Sequence, residues 1–594
     1  MRPLLLFFLV ACSILSAQDL RYDAPLRGPL LVTGTFGELR SDHFHAGLDF
    51  RAPTNTPVYA VAEGFVSRVL VSSGGYGQAV YVDHPDGHRS VYAHLETLAP
   101  KLKDTVRARQ FADEEFRQDL RFGPADFPVA RGQRIGGVGN RGHSFGPHLH
   151  FEMREQAGDV AVNPLAFGFT VPDTRAPAIR KLRVYELDER GLERGSQTIS
   201  PTALRGGNYA VRDTVVVARR RIGLGLKSYD RQNAMPNWNG IFGGDLLADS
   251  TLVFRFRFAR IPFEETEYLN ALTDYADWTE NESWYHRFWA LSTRQFRAPM
   301  PRDTAGPFAF LNAARTQDAG NGKGTAPYDG SLMLQAGKPL DLRLRTVDFA
   351  GNASELSLVV VYRPGTPSGE TNQGFAQGGS GPHQYFLPAG EPSIIDNGDL
   401  RLELDSNALY RDCFFRYARL PDRSANHLSD VHQLHDRRTP LHGSARLHLR
   451  PAAQIPASLK DRVFLGSCDN AGRLSSRGGT WTDEGRLAAS IPTFGDYGLF
   501  LDTLPPTVEI NYFSTDLRRA AGFSVIIDDN VSGGRLRYRG TIDGKWALLE
   551  HDGKSGKLNY SFADGEPGPG EHLFELEVTD AQGNGTRWQR RFRR

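Results

Sequence analysis

Short runs of alternating apolar and polar residues, each ended by a tight turn, recur along this chain and constrain its fold more than any other feature. One segment opens at residues 173–177 with Asp-Thr-Arg-Ala-Pro, and another opens at 502–506 with Asp-Thr-Leu-Pro-Pro. Each closes with a strand, an Asp-x-x-Gly-Asn turn (348–352 and 580–584) and a second strand. Asp and Asn support such turns through side-chain hydrogen bonds, and Gly supplies the positive φ. The pattern predicts β-sandwich modules.

Length and composition bound the number and the class of the domains. The chain has 594 residues, which corresponds to about four domains at roughly 150 residues each. It contains 62 Gly and 35 Pro, a turn-rich composition that favours β structure. The formal net charge of +1 excludes the basic excess of a general nucleic-acid binder, so no nucleic-acid partner is expected.

The first residues have the three parts of a secretory signal. Arg2 is followed by an apolar run from Pro3, and small residues end the segment near Ala17. We therefore predict a signal peptide over residues 1–17 and an exported chain, periplasmic or associated with the cell envelope. The alternative is lipid anchoring at Cys12, which ends a lipoprotein-like box. No later apolar run reaches the ~18 residues that cross a membrane, so no transmembrane segment is expected.

Changes of pattern along the chain predict the domain boundaries. Short strands over residues 18–170 are interrupted by a charged stretch at 101–120, whose apolar positions suit an amphipathic helical insertion. Those positions are Val106, Phe111, Phe116 and Leu120. Residues 365–392 are rich in Gly, Pro, Gln and Ser and indicate a linker. The predicted β modules are 173–364, 393–501 and 502–594. The expected fold is all-β dominated: an antiparallel-sheet domain with a helical insertion, followed by β-sandwich (Ig-like) modules.

Histidine is concentrated in the predicted N-terminal domain. Eight of the 17 histidines lie between His43 and His150. Three pieces stand out: His45-Ala46-Gly47-Leu48-Asp49, Tyr92-Ala93-His94-Leu95 and Gly146-Pro147-His148-Leu149-His150-Phe151-Glu152. If each lies on a strand, His45 shares a face with Asp49, and His148 shares one with His150. Gly47 has no side chain and leaves room for an ion between the first pair.

Imidazoles and a carboxylate that converge from neighbouring strands can bind a metal ion. A single His-x-His pair on a strand is usually a surface pair, but three such pieces in one domain favour a site. Two His and one Asp form an open zinc set with three protein ligands and a water. Zn²⁺ lowers the pKa of that water to about 7. The remaining histidines could take its proton or stabilise an oxyanion. His43 could substitute as a ligand, although the four-residue spacing to Asp49 favours His45.

The stretch from Gly34 to Glu152 resembles the lysostaphin-type (LytM-type) zinc metallopeptidases, which cut peptidoglycan cross-bridges. The three pieces match, in order, the family's His-x-Gly-x-Asp, Tyr-Ala-His-Leu and Gly-Pro-His-Leu-His-Phe-Glu segments. One departure is the insertion between His94 and Gly132, which is longer than in the simplest members and alters the edge of the groove. The β-rich remainder is similar to exported multi-domain members of the family with Ig-like modules.

The resemblance implies a role for each of five residues. It implies that His45, Asp49 and His150 bind Zn²⁺. It implies that His94 and His148 are the catalytic histidines, with His148 the favoured base.

These observations predict a zinc-dependent endopeptidase that hydrolyses peptide cross-links of bacterial peptidoglycan. A diaminopimelate-type direct cross-link is favoured over a glycine bridge, and the β modules could contact an envelope protein. The first alternative is a catalytically silent scaffold that binds peptidoglycan or activates an amidase. The second is an adhesin or envelope tether in which the β modules dominate. In the exported chain Cys413 and Cys468 either pair as a disulfide or remain two buried thiols.

Overall fold

The computed structural model describes residues 22–233, 235–291, 329–365, 385–421, 427–468 and 473–594. The predicted signal peptide, 1–17, and most of the predicted linker lie outside these residues. Strands dominate the described chain, as the alternating pattern predicts. None of the helices in the described ranges has the length and apolar character needed to cross a membrane. Cys413 is buried with a free thiol, and the side chain of Cys468 lies outside the described residues.

The N-terminal region is built around one long antiparallel sheet. Its elements are β1 (Val32–Gly34), β2 (Leu48–Arg51), β3 (Pro57–Tyr59), β4 (Gly64–Val71), β5 (Gln78–Asp83), β6 (His88–Ala93), β7 (Thr97–Leu98), α1 (Pro100–Asp113), β8 (Gln118–Arg121), β9 (Pro128–Val129), β10 (Arg134–Gly137), β11 (His148–Glu155) and β12 (Val160–Val162). The strand order in the long sheet is β1-β2-β11-β6-β5-β4-β8, and β3-β10-β7 form a second, small sheet. The sheet therefore brings β2, β11 and the end of β6 side by side.

The helical insertion is present, but it is shorter than predicted. α1 starts with Pro100 at its first turn and ends where Glu114 takes a left-handed conformation. Its buried residues are Leu102, Val106 and Gln110, spaced four apart on one face. Phe111 is 40% exposed, so the prediction that it belongs to the apolar face is wrong. The predicted continuation to residue 120 is also wrong, because Gln118–Arg121 pair with β4 as a strand.

The first β module consists of two sheets. Its elements are β13 (Ala178–Leu187), β14 (Glu193–Ile199), β15 (Thr202–Ala203), β16 (Asn208–Ala210), β17 (Val215–Val217), β18 (Arg221–Tyr229), β19 (Gly243–Ala248), β20 (Thr251–Arg257), β21 (Arg260–Pro262), α2 (Tyr275–Asn281), β22 (His286–Arg287), β23 (Leu332–Met333), β24 (Pro339–Val347) and β25 (Ala353–Tyr362). One sheet has the order β14-β13-β18-β22 and the other β15-β16-β25-β24-β19-β20. β21 leaves the module to pair with β12.

The next two modules follow the same two-layer principle. The middle strands are β26 (Tyr385–Leu387), β27 (Ser393–Asp396), β28 (Leu400–Leu404), β29 (Cys413–Phe415), β30 (Tyr417–Leu420), β31 (Val431–Leu434), β32 (Ala445–Leu449), β33 (Val463–Cys468), β34 (Leu474–Ser476), β35 (Thr480–Trp481), β36 (Leu487–Ile491) and β37 (Gly495–Leu501). The last are β38 (Thr507–Tyr512), β39 (Gly522–Asp528), β40 (Arg537–Ile542), β41 (Lys545–Trp546), β42 (Leu549–Asp552), β43 (Lys557–Ser561), β44 (Glu571–Thr579) and β45 (Gly585–Arg593). In the last module β38-β39-β43-β42 face β41-β40-β44-β45 across a shared core.

One continuous core joins the N-terminal sheet to the first β module. Its buried apolar side chains run from Leu26 to Val360, and Leu548 of the last module joins them. The middle and last modules have clusters of their own. The β12–β21 pairing also extends the N-terminal sheet into the first module. The first module therefore supports the sheet that carries the histidines.

Candidate metal centre

Two neighbouring strands place the first and third histidine pieces side by side. β2 and β11 run antiparallel, with Asp49 opposite His150 in the register. His45 lies just before β2, and its backbone N–H donates to the carbonyl of Glu38 at 2.8 Å. A Cβ on Gly47 would lie 2.5 Å from the carbonyl oxygen of Phe151. Glycine is therefore required there for the close approach of the two strands.

Three donor atoms converge between these strands. His45 Nε2 lies 3.1 Å from Asp49 Oδ1 and 3.0 Å from His150 Nδ1. His150 Nδ1 lies 2.9 Å from Asp49 Oδ1. The three residues are buried, with 4–8% of their surface exposed. Two imidazole nitrogens and a carboxylate oxygen are all electron donors, so a cation at their centre satisfies all three. The set fits Zn²⁺, with three protein ligands and a fourth position left for water or substrate.

Outer contacts fix which nitrogen of each ring faces the centre. His45 Nδ1 lies 2.8 Å from the carbonyl oxygen of Thr35, so Nδ1 carries the proton and Nε2 is the free donor. His150 Nε2 lies 2.8 Å from Glu152 Oε1, which leaves Nδ1 as the free donor. Arg40 Nη2 donates to Asp49 Oδ2 at 2.9 Å and leaves Oδ1 for the centre. Each candidate ligand therefore has a partner that orients it.

Glu152 is the most deeply held of these orienting groups, and sequence reasoning missed its role. Arg154 Nε donates to Glu152 Oε2 at 2.5 Å, and the Tyr76 hydroxyl donates a short hydrogen bond to Oε1. The period-two alternation puts Glu152 on the same face of β11 as His148 and His150, so its motif did carry a signal. Tyr76 lies in a loop far along the chain, and nothing in the sequence pattern indicates it.

The charges around the centre are strongly coupled. Burial lowers the pKa of His45 to about 4. Burial acts to lower the pKa of His150, but hydrogen bonds to Asp49 and Glu152 outweigh burial and raise that pKa to about 9. The carboxyl group of Asp49 is also buried, yet its two histidine partners hold its pKa well below the usual range. The pocket thus favours positive charge between Asp49 and His150, which is the charge that a metal ion brings.

His94 and His148 lie beside the three donors. Their ring centroids are 4.9 Å apart, and the His94 ring is 5.7 Å from that of His150. His94 has a left-handed φ of 59°, and its Nδ1 lies 2.8 Å from the carbonyl oxygen of Arg141. His148 Nδ1 lies 2.8 Å from the carbonyl oxygen of Gly146. In the neutral form of each ring, the proton therefore lies on Nδ1 and Nε2 is the acceptor. Burial, followed by the neighbouring histidines, lowers the pKa of His94 to about 3.

The structure brings all five sequence-predicted residues into one site. It also adds a contact that no sequence pattern indicates, because the last β module reaches the loop between β10 and β11. Lys554 Nζ donates to the carbonyl oxygens of Asn140 at 2.6 Å and Ser144 at 3.0 Å. Arg141 Nη2 bridges Glu96 at 3.0 Å and Glu550 at 2.9 Å. One rim of the site is therefore made by two distant parts of the chain.

A buried three-donor centre with two neighbouring imidazoles on an antiparallel sheet defines a metallopeptidase-type site, and comparisons with known proteins agree. Residues 43–111 match peptidase family M23, and residues 384–502 match a Zu5-like domain. The chain therefore contains an M23 (LytM-type) peptidase domain, together with additional β modules. Zn²⁺ is the cofactor that the donor set and this family indicate.

Individual relatives match over part of this chain. DD-carboxypeptidase/endopeptidase Mpg of Neisseria meningitidis is 33% identical over 135 residues, which are 23% of this chain and 25% of that protein. Peptidoglycan DD-endopeptidase ShyA of Vibrio cholerae is 33% identical over 110 residues, 18% of this chain and 20% of that protein. The match thus spans a quarter or less of these relatives. A mutant catalytic domain of the M23 protein EnpA from Enterococcus faecalis shares 32% identity over 25% of this chain and 98% of its own, with a TM-score of 0.19.

Proposed function

We propose that this protein is a Zn²⁺-dependent endopeptidase that hydrolyses peptide cross-links of bacterial peptidoglycan. The observation that carries the proposal is the convergence of His45 Nε2, Asp49 Oδ1 and His150 Nδ1 beside two further imidazoles. The names of the M23 relatives, among them a peptidoglycan DD-endopeptidase, support the substrate class. In this proposal His45, Asp49 and His150 are the metal ligands, and His94 and His148 are the catalytic residues.

The geometry supports a distinct role for each catalytic histidine. Zn²⁺ held by His45, Asp49 and His150 would polarise the scissile carbonyl and lower the pKa of water. His148 Nε2 lies 3.5 Å from Asp49 Oδ1 at the edge of the donor set, so His148 is placed to accept a proton from the attacking water. His94 is more deeply buried, and its lowered pKa keeps it neutral. Because its Nδ1–H is held by the carbonyl oxygen of Arg141, the free Nε2 of neutral His94 can only accept a hydrogen bond, which suits orientation of the attacking water rather than the uptake of a proton.

The alternative is a catalytically silent scaffold that binds peptidoglycan or activates an amidase. Such a scaffold does not need the complete set of five residues. Here all five are present, and the three donors are oriented by Thr35, Glu152 and Arg40. The presence of all five residues in one buried and oriented polar network therefore favours hydrolysis.

The surroundings of the enzyme also belong to the proposal. We place it outside the cytoplasm, in the periplasm or the cell envelope, after removal of residues 1–17. The substrate bond that we favour is a diaminopimelate-type direct cross-link. The peptidase domain covers 18–170, and the modules at 173–364, 393–501 and 502–594 position it or bind an envelope partner.

A digest of isolated peptidoglycan tests the proposal. The full mature protein with one equivalent of Zn²⁺ is incubated with the polymer, and soluble fragments are read by mass spectrometry. We expect loss of cross-linked dimers with wild type and with His43→Ala, a nearby exposed histidine, but not with His148→Ala or chelator. Unchanged dimers with the metal bound would favour the scaffold, and cleavage by His148→Ala at the wild-type rate would exclude its role as base.

A further inference from the structure

Two clusters of three aspartates lie in the β modules, outside the histidine site. The carboxylate oxygens of Asp173, Asp230 and Asp348 lie within 4.8 Å of one another, and so do those of Asp502, Asp529 and Asp580. We call these the first and the second acidic triad. Neither contains a histidine or a cysteine, and neither contributes to the peptidase site.

The two triads occupy equivalent places in the first and the last module. In each, one aspartate lies on the segment that leads into the module, before β13 or β38. Another follows a central strand, β18 or β39. The third starts the Asp-x-x-Gly-Asn turn that joins the last two strands of the module. The fold thus brings the opening segment, a middle strand and the closing turn of each module to one point.

The hydrogen bonds around the closing turn are the same in both modules. In the first module, Asp348 accepts from the backbone N–H of Asn352 at 2.8 Å and from its Nδ2 at 2.7 Å. Asn352 Nδ2 also donates to the carbonyl oxygen of Asp173 at 3.2 Å.

In the last module, Asn584 donates its backbone N–H and its Nδ2 to Asp580, both at 2.7 Å. Its Nδ2 donates to the carbonyl oxygen of Asp502 at 3.2 Å. Two modules with different sequences therefore keep one arrangement of carboxylates.

The first triad contains buried oxygens that lack a partner. Asp230 is 2% exposed and Gln232 is 5% exposed. Within the described ranges, Asp230 Oδ1 and Gln232 Oε1 have no hydrogen-bond partner. Gln232 and the three carboxyl groups line one cavity of ≈ 90 Å³, which has room for an ion. The amide of Gln232 is not part of the triad, so its unpartnered oxygen is a separate indication of a missing ligand.

The second triad also contains carboxylate oxygens that lack a hydrogen-bond partner. Asp502 is 2% exposed, and its Oδ2 has no hydrogen-bond partner among the residues that the structure describes. The same holds for Oδ1 of Asp529. In the described part of the chain, no ion pair within 4.0 Å joins a Lys or Arg side chain to either triad. Four buried carboxyl groups and two partly buried ones are thus left without an ion-pair partner, and burial of such groups is costly unless a cation compensates them.

Clustering of carboxyl groups also makes their ionisation difficult. Burial, followed by the charges of Asp173 and Asp348, raises the pKa of Asp230 to about 7. Burial, followed by the charges of Asp502 and Asp580, raises the pKa of Asp529 to about 6. A cation placed among the three carboxylate oxygens of a triad would stabilise their ionised form and so lower these pKa values.

We propose that each acidic triad binds one Ca²⁺ ion, which ties the opening segment of its module to the closing turn. The donors are carboxylate and amide oxygens, the ligands that hard divalent cations take, whereas Zn²⁺ takes His and Cys. Ca²⁺ accommodates six to eight oxygens in irregular geometry, which suits three loops better than the strict octahedron of Mg²⁺. The first ion would lie where the first module meets Thr35 and Asn163 of the peptidase domain, which line the same cavity.

Calorimetric titration of the full mature protein tests this proposal. The protein carries one equivalent of Zn²⁺ and is freed of Ca²⁺ before CaCl₂ is added. We expect two Ca²⁺ ions for wild type, one each for Asp230→Asn and Asp529→Asn, and none for the double variant. The lost site should bind at least about 100-fold more weakly, because the substitution removes one of three anionic ligands. Asp341→Asn, an exposed aspartate on β24, is the matched control and should bind two ions.

Folding of the variants is checked independently. Zn²⁺ stoichiometry and the thermal midpoint without Ca²⁺ should be retained, because Asn has the shape of Asp and relieves carboxylate repulsion. Addition of Ca²⁺ should raise the midpoint of wild type more than that of either single variant. Fewer than two ions on wild type, two ions on the double variant, or tighter binding of Mg²⁺ than of Ca²⁺ would each overturn the proposal.

Discussion

Lys554 and Asn140 are joined by a hydrogen bond of 2.6 Å across 414 residues of chain, from the Lys554 ammonium to the Asn140 carbonyl oxygen. The same ammonium donates to the carbonyl oxygen of Ser144, whose hydroxyl lies 3.3 Å from His148 Nδ1. The last β module therefore supports the loop that orients a proposed catalytic residue.

Removal of this support should slow turnover without removing the metal. We expect Lys554→Met to lower kcat several-fold, because loss of a charge-assisted hydrogen bond loosens the loop beside His148. Zn²⁺ stoichiometry should stay at one. Lys545→Met, an exposed lysine on β41, is the control. A rise in kcat would mean that the module restrains the site instead of supporting it.

Glu152→Gln should weaken metal binding. Glu152 holds His150 in the orientation that presents Nδ1, and loss of such an outer contact typically costs about 10- to 100-fold in metal affinity. Competition with a chromogenic chelator measures the Zn²⁺ dissociation constant. Glu63→Gln changes an exposed glutamate and should have no effect. Equal affinities for Glu152→Gln and wild type would contradict the assigned tautomer of His150.

The two histidines of β11 should have separable functions. His150→Ala removes one of three donors, so the purified variant should contain no stoichiometric Zn²⁺. His148→Ala should retain one equivalent, while kcat falls by about 10²- to 10⁴-fold, the usual contribution of a general base. Metal analysis and the peptidoglycan digest, run on the same preparations, measure both quantities. Loss of metal from both variants would make His148 a ligand.

His286 should make stability depend on pH. It is 4% exposed, and burial lowers its pKa from 6.5 to about 4. Between pH 6.5 and 4 the unfolded chain binds a proton at this residue and the folded chain does not. The contribution of neutral His286 to the free energy of unfolding is therefore fully present above pH 6.5. It is lost as the pH falls, and the loss reaches about 3 kcal/mol at pH 4.

Chemical denaturation across that range tests the effect. The ring of His286 stacks on Phe256, with the centroids 5.9 Å apart, so His286→Phe keeps an aromatic group in place. Its free energy of unfolding should fall less steeply with acid than that of wild type. His43→Phe, at an exposed site, should keep the wild-type slope. Parallel slopes for His286→Phe and wild type would refute the prediction.

Much of the peptidase site could be predicted from local pattern. Period-two alternation put His148 and His150 on one face of a strand, and the spacing of His45 and Asp49 indicated a shared face. The structure brings these residues to the same centre as His94. The helical insertion was also predictable, but its end was not, because Gln118–Arg121 gain backbone hydrogen bonds to β4 that a helix would forgo.

The sequence by itself determined the class of fold, the three histidine pieces and the repeated turns, because these depend on residues that are neighbours along the chain. Only the tertiary structure decided which residues orient them. Tyr76 reaches Glu152, and Lys554 reaches Asn140, through strand pairings and module contacts that carry no periodic signal. The acidic triads show the division most clearly. The aspartates of the closing turns could be recognised in the sequence as turn formers. Asp230 and Asp529 lie beside them only because packing brings the end of a central strand to the same point. The clustered carboxylates at that point need a cation to offset their repulsion.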